Sequence, residues 1–214
     1  MYPLKRLLSS CLLLIGLAVA GGFSSTARAE AEAAPAAAQR LCDALLGAMK
    51  AGTSLDFAGR RDLLAPEIQR DFDLAFMIRI IVGPPWRSLT PGDQQKLADA
   101  FSAYSIATYA QRFHAWSGEH FAVDPSPTAL PRGDCVVHTK LFTGDPTPVQ
   151  LDYLMRKTGD RWRIIDVYLN GTISEVAARR SEYTTILRQG GAPALIALLA
   201  GKTEDFARQR PGSS

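Results

Sequence analysis

Few side chains in this chain have the type and spacing that chemistry needs. The three histidines are His114, His120 and His138. His114 and His120 stand six apart and straddle a predicted helix-to-strand junction. None belongs to a His-x-x-x-His, Glu-x-x-His or His-x-His pattern, so their spacing does not point to a metal site. Cys42 and Cys135 are far apart, with no Cys-x-x-Cys and no neighbouring histidine at ligand spacing. A Gly-x-Ser-x-Gly elbow, a phosphate-cradling glycine loop and a dinucleotide fingerprint are all missing. Asp152 and Asp166 are the two carboxylates worth weighing. Inside an apolar cone a lone Asp can act as a general base with a raised pKa, partnered by Tyr104 or Tyr153. The plainer reading has them facing solvent or pairing with Arg163.

The elements that would position these groups are legible from period and punctuation. A first firm helix is predicted near Gln39 to Lys50, with Leu41, Leu45, Leu46 and Met49 on one stripe. A second spans Phe57 to Leu64 and ends near Pro66. A third, Phe72 to Ile81, is apolar nearly all round and so must be buried on several sides. Thr90-Pro91-Gly92-Asp93 then marks a helix start: Thr90 caps, Pro91 fits the first turn and Asp93 favours the dipole. The long helix that follows should reach about Trp116. Leu97, Phe101, Tyr109 and Phe113 fall at i+4 or i+8, and Tyr104 and Trp116 extend that face. Such an aromatic stripe is ordinary core unless something holds it away from its neighbours.

After Gly118 the period changes to two. Phe121 to Val123, Cys135 to Phe142, Val149 to Lys157 and Trp162 to Leu169 read as four strands, with a proline-rich loop over Asp124 to Gly133. Ser174 can cap a helix to about Gln189, Gly190-Gly191 stop it, and Pro193 opens a last apolar helix, Ala194 to Ala200. The fold class is therefore α+β. A four-stranded antiparallel sheet is expected, backed by N-terminal and C-terminal helices that enclose an apolar cavity.

Residues 1–29 read as a secretory signal. Lys5 and Arg6 form a basic start, the stretch from Leu7 to Val19 is apolar apart from Ser9, Ser10 and Gly16, and Ala27-Arg28-Ala29 supplies the cleavage pattern. Leu8-Ser9-Ser10-Cys11 imitates a lipoprotein box, but the apolar run follows Cys11 instead of preceding it. Three of the 24 basic residues lie in this signal, which has no acid, so the remainder balances its 21 acids. A neutral chain has no electrostatic footprint for nucleic acid and no basic block to hold it on a bilayer. The reading is a soluble periplasmic monomer. Residues 30–38 form a flexible Ala-rich lead-in, 39–202 a single domain, and 203–214 a flexible tail. Cys42 and Cys135 are either a disulfide or two buried free thiols.

From Phe72 onward the order of features is more specific than any single motif. Trp86-Arg87-x-x-Thr90-Pro91 precedes the aromatic helix. Trp162-Arg163-Ile164-Ile165-Asp166-Val167 then leads into Asn170-Gly171-Thr172-Ile173-Ser174, and Ser181-Glu182-Tyr183-x-x-Ile186-Leu187 precedes the Gly190-Gly191 break. In this order the chain, over roughly Leu41 to Leu199, resembles the MlaC, or toluene-tolerance, family of periplasmic phospholipid-binding proteins. That family includes a branch associated with hopanoid biosynthesis. It usually has a glycine directly before the serine of the last strand-to-helix junction, whereas Gly171 here is separated from Ser174 by two residues. The resemblance implies a carrier without catalytic residues, metal or cofactor. Its partners would be an outer-membrane lipoprotein complex and an inner-membrane ABC transporter complex of the MCE type. It also implies lipid tails held between the helix residues Ile80, Phe101, Tyr104 and Phe113 and the strand residues Val137, Leu141, Leu151 and Tyr153, with Trp86 near the mouth. The competing readings are a small isomerase or dehydratase built on the same cone, with Asp152 or Asp166 as base, and an adaptor whose core is filled.

Overall fold

The computed structural model of the chain describes residues 23–208, with side chains from Ala34 onward except Thr53. Its elements run α1 (Phe23–Ala51), α2 (Phe57–Asp71), α3 (Leu74–Val82), α4 (Pro91–Arg112), β1 (His120–Val123), β2 (Thr128–Ala129), β3 (Cys135–Val137), β4 (Thr139–Phe142), β5 (Val149–Thr158), β6 (Arg161–Leu169), β7 (Ile173–Ser174) and α5 (Glu175–Arg208). The order is α+β, with every strand pairing antiparallel.

The seven strands of the described residues arise from the four expected ones by interruption and short additions. β3 and β4 pair with β5 in one continuous register, Val137 opposite Tyr153 and Lys140 opposite Gln150, so they form one strand broken at His138. At the break the Asp124 N–H donates to the His138 carbonyl at 2.9 Å. The loop expected from Asp124 to Gly133 contains β2, because Thr128 and Ala129 lie between prolines and keep the N–H groups that Pro125, Pro127 and Pro131 lack. A bulge sets Leu154 opposite Asp166 and Met155 opposite Ile164, leaving Ile165 as the extra residue. Break and bulge both bend the sheet, and its concave face receives the helices.

Helix boundaries follow local capping. Asp56 accepts from the Gly59 N–H at 2.8 Å, Asp73 from the Phe76 N–H at 3.1 Å and Thr90 from the Asp93 N–H at 3.1 Å. Ser174 Oγ accepts from the Ala177 N–H at 2.9 Å, as expected of a cap. Asp73 N–H also donates to the Ile164 carbonyl at 2.9 Å, which ties the α2–α3 junction to β6.

Several boundaries differ from the sequence expectation, each for a stated cause. The lead-in over 30–38 is helical, and Ala34, Ala37 and Ala38 are buried, since small side chains let α1 pack closely. Pro66 lies inside α2: its missing N–H affects an exposed turn, while Leu64 and Ile68 keep the helix on the core. α4 ends at Arg112 instead of near Trp116, with Phe113 as its non-helical cap. Trp116 consequently leaves the aromatic face; it is 49% exposed, with its indole N–H donating to the Glu119 carbonyl at 2.9 Å and Lys50 over its ring. α5 is two helices joined at Gly191 (φ 63°), and the second runs to Arg208, beyond the expected tail start at 203. Most of the expected export signal, residues 1–22 with Cys11, lies outside the described residues.

Cys42 and Cys135 are free and buried. Burial pushes the Cys42 thiol up to about 12, with a hydrogen bond from Tyr153 acting in the opposite direction, and burial pushes Cys135 up to about 11. Both folded values exceed the ordinary 9.0. Above pH 9 the unfolded chain therefore releases these protons while the folded chain keeps them. Their contribution to stability is complete below pH 9 and falls as pH rises toward 11–12. Denaturant midpoints should decline over that window, less steeply in Cys42→Ala than in wild type. A midpoint independent of pH in both proteins would contradict the burial of the thiols.

Candidate functional site

The helices do not fill the concave face of the sheet. A cavity of about 230 Å³ remains between α4, the start of α3, the first turns of α5 and strands β4, β5 and β6. A single water needs about 10–15 Å³ of such space, so this is room for a ligand. Phe72, Leu74 and Met77 form one wall, Leu141, Val149, Leu151, Tyr153, Val167 and Leu169 the strand wall, and α4 the roof.

Aromatic contacts explain how the space survives. Phe72 meets Tyr109 edge-on at 5.5 Å, Tyr109 stacks on Phe113 at 5.8 Å, and Phe113 meets Phe121 at 6.2 Å. Tyr104 stacks on Phe206 at 6.1 Å, so the end of α5 is fastened to the same helix. Rings that satisfy one another hold α4 at a set distance from the strands without descending into the gap.

Six of the nine residues expected to contact tails line this space: Phe101, Tyr104, Phe113, Leu141, Leu151 and Tyr153. Three do not. Val137 shares the face of Tyr153, its register partner, but is fully buried where α1 contacts β3, in solid core. Ile80 lies where α3 packs on α5, and its carbonyl accepts from the Arg180 guanidinium. Trp86 sits in the 3₁₀ turn Pro84–Ser88, where its carbonyl accepts from Gln94 at 2.9 Å. That turn adjoins the N-terminal end of α4, some 30 Å along a 22-residue helix from Arg112, which is exposed at the other end.

The polar lining escaped the sequence reading. Ser105, Thr108 and Arg112 follow Phe101 at i+4, i+7 and i+11, so one stripe of α4 grades from apolar to charged. Continuing the Phe101 stripe past its aromatic members would have found them. Glu175 and Arg179, an i,i+4 pair on α5, complete the lining at 2.7 Å. Arg179 also reaches Glu182 at 3.0 Å and lies over the Tyr104 ring. Burial works against its charge, but Glu175 and its other neighbours outweigh this and hold its pKa above the usual value. Tyr109 and Tyr153 are pushed up mainly by burial, so both remain neutral hydroxyls.

Asp152 and Asp166 are both buried, neither faces solvent nor pairs with Arg163, and neither lines the cavity. Asp166 accepts from Ser174 Oγ at 2.5 Å and from the Val167 and Val176 N–H groups at 2.8 and 3.0 Å, anchoring the start of α5. Asp152 accepts from Gln150 at 2.8 Å, and its Oδ1 lies 3.2 Å from His138 Nδ1. His138 Nε2 is in turn 3.0 Å from Thr128 Oγ1, which ties β2 to the β3–β4 break on the face away from the cavity, while Asp152 Oδ1 accepts no hydrogen bond from the described residues. His120 stacks on Phe142, and His114 contacts the Gln111 carbonyl.

Comparison with known proteins places this geometry. A family model described as MlaC protein matches residues 39–201. Among solved structures, a phospholipid-binding protein from Ralstonia solanacearum, in complex with a phospholipid, is similar in fold with a TM-score of 0.71. The identity is 23%, over 82% of this chain and 99% of that one.

A cavity and a packed core respond differently to added volume. Val167 lines the space and Ile164 is fully buried in core on the same strand. Val167→Phe should cost less than about 1 kcal/mol, whereas Ile164→Phe should cost about 1–3 kcal/mol. Urea midpoints decide it: equal losses at the two positions would mean that Val167 faces no free volume.

Proposed function

We propose that this chain, which belongs to the MlaC family, is a lipid carrier that shields the acyl chains of a phospholipid while the molecule crosses water. The observation that carries the reading is the cavity itself: an unfilled space whose walls are aromatic and aliphatic, with its charged groups confined to the end of α4 and the start of α5. Each methylene removed from water contributes about 0.8 kcal/mol, so a tail of about 16 carbons gains roughly 13 kcal/mol gross on entering such a space. A protein that offers this burial and releases the lipid at its destination performs the whole task without a nucleophile.

Phe101, Tyr104, Phe113, Leu141, Leu151 and Tyr153 are the proposed tail contacts. Ile80, Trp86 and Val137 are withdrawn from that set because they lie outside the cavity. Export through the segment before Glu30 would put the carrier in the periplasm. Its exchange partners there would be an outer-membrane lipoprotein complex and an inner-membrane ABC transporter complex of the MCE type. No described helix is long and apolar enough to cross a membrane, which is compatible with a diffusing carrier. The binding recorded for the Ralstonia solanacearum protein supports phospholipid as cargo, and a hopanoid remains the alternative cargo of one branch of the family.

Organic extraction of the full chain, purified without detergent, should release phospholipid detectable by mass spectrometry. Val167→Phe, which fills the cavity, should retain at least tenfold less. Extracts free of phospholipid and hopanoid in repeated preparations would refute the proposal.

A further inference from the structure

The cavity has a charged end whose chemistry goes beyond holding tails. Of the residues that line it, Arg112 and Leu169 are the exposed ones, so they mark its opening. Two arginines and one carboxylate line the space. Arg179 is committed to Glu175 and Glu182 at 2.7 and 3.0 Å. Arg112, in contrast, has no ion-pair partner among the described residues, although it stands at the rim of an apolar space. Behind it on the same stripe of α4 come Thr108, one turn in, and Ser105, about 10 Å in. Thr108 spends its hydroxyl proton on the Tyr104 carbonyl at 2.8 Å. Ser105 lines the cavity, and its Oγ has no hydrogen-bond partner among the described residues.

We propose that Arg112 is the anion-binding end of this cavity and takes the phosphodiester of a glycerophospholipid, with Ser105 donating to an ester carbonyl deeper in. The inference rests on the lipid-carrier reading and specifies the head that the carrier accepts. A guanidinium suits this place because its planar fork can engage two phosphate oxygens together. Its position at an exposed rim also lets the rest of the head remain in water, so no charge has to be buried unpaired. Burial is the main cause that raises the Tyr109 pKa; Glu175 adds to the rise and Arg112 opposes it, so both charges lie within electrostatic reach of one hydroxyl on the cavity wall. The resulting selectivity is for a phosphate-bearing glycerolipid over a neutral one with the same tails.

The test uses the full chain, stripped of lipid, and three ligands: phosphatidylglycerol, diacylglycerol with identical tails, and glycerol 3-phosphate. Wild type should bind phosphatidylglycerol about tenfold more tightly than diacylglycerol, a difference of about 1.4 kcal/mol, and glycerol 3-phosphate without measurable affinity. Arg112→Gln should lose the preference while diacylglycerol binding stays constant, and Arg112→Lys should keep part of it. Arg112 is exposed, and the diacylglycerol measurement reports whether each variant retains its cavity. Failure of wild type to bind either lipid overturns the carrier reading and this inference together. Equal affinity for the two lipids, or a preference that persists in Arg112→Gln, overturns the inference alone. Glycerol 3-phosphate binding as tightly as the lipid would make the site one for free phosphates and overturn it as well.

Discussion

A file of rings from Phe72 through Tyr109 and Phe113 to Phe121 keeps α4 and the sheet apart, and the cavity depends on it. Protein interiors pack at the density of organic crystals, so an unfilled space must be held open by groups that cannot collapse into it. Aliphatic side chains in these positions would bend toward one another. Aromatic rings have two torsions and a fixed outline, and each already has a ring partner at van der Waals distance. The backbone around them is secured in turn. Arg60, almost wholly buried, donates to the Ala110 carbonyl at 3.1 Å and to the Leu55 carbonyl at 2.6 Å, fastening the end of α4 to α2.

The polar groups that resemble a catalytic set serve this framework. Asp166 is held by two backbone N–H groups and the Ser174 hydroxyl, which fixes the angle at which α5 leaves the sheet. That angle brings Glu175 and Arg179 to the cavity and returns Phe206 to Tyr104 after the turn at Gly191. The contact between His138 and Thr128 ties β2 to the break between β3 and β4, where the sheet bends. The carboxylates that an isomerase or dehydratase would aim at its substrate thus lie outside the cavity lining.

Local signals carried much of this. Thr90 and Ser174, expected as caps, and Asp56 and Asp73, which were not, each accept from an N–H three residues on, a contact that needs nothing from the rest of the fold. The alternation of β5 and the aromatic spacing of α4 were legible for the same reason. Phe101, Tyr104 and Phe113 could be placed on the cavity once the family likeness suggested one. Ser105, Thr108 and Arg112 were overlooked because hydroxyls and a guanidinium on an apolar face read as noise until the face is known to border free space. Trp116 went the other way: its spacing fitted the stripe, but the helix ended at Arg112 and took its periodicity with it.

What the residue order determined by itself was the succession of elements, their caps and the faces they bury, since these follow from torsions and contacts a few residues apart. Whether the buried faces would meet or stand off was decided only in three dimensions. Val137 and Leu151 have the same pattern and nearly the same hydrophobicity, yet one lies in solid core under α1 and the other on a cavity wall. The difference is which helix crosses above each, and that depends on the His138 break, the bulge at Leu154–Met155 and the spacing of rings drawn from separate parts of the chain. Free volume belongs to the gap between distant elements, so no local period can encode it.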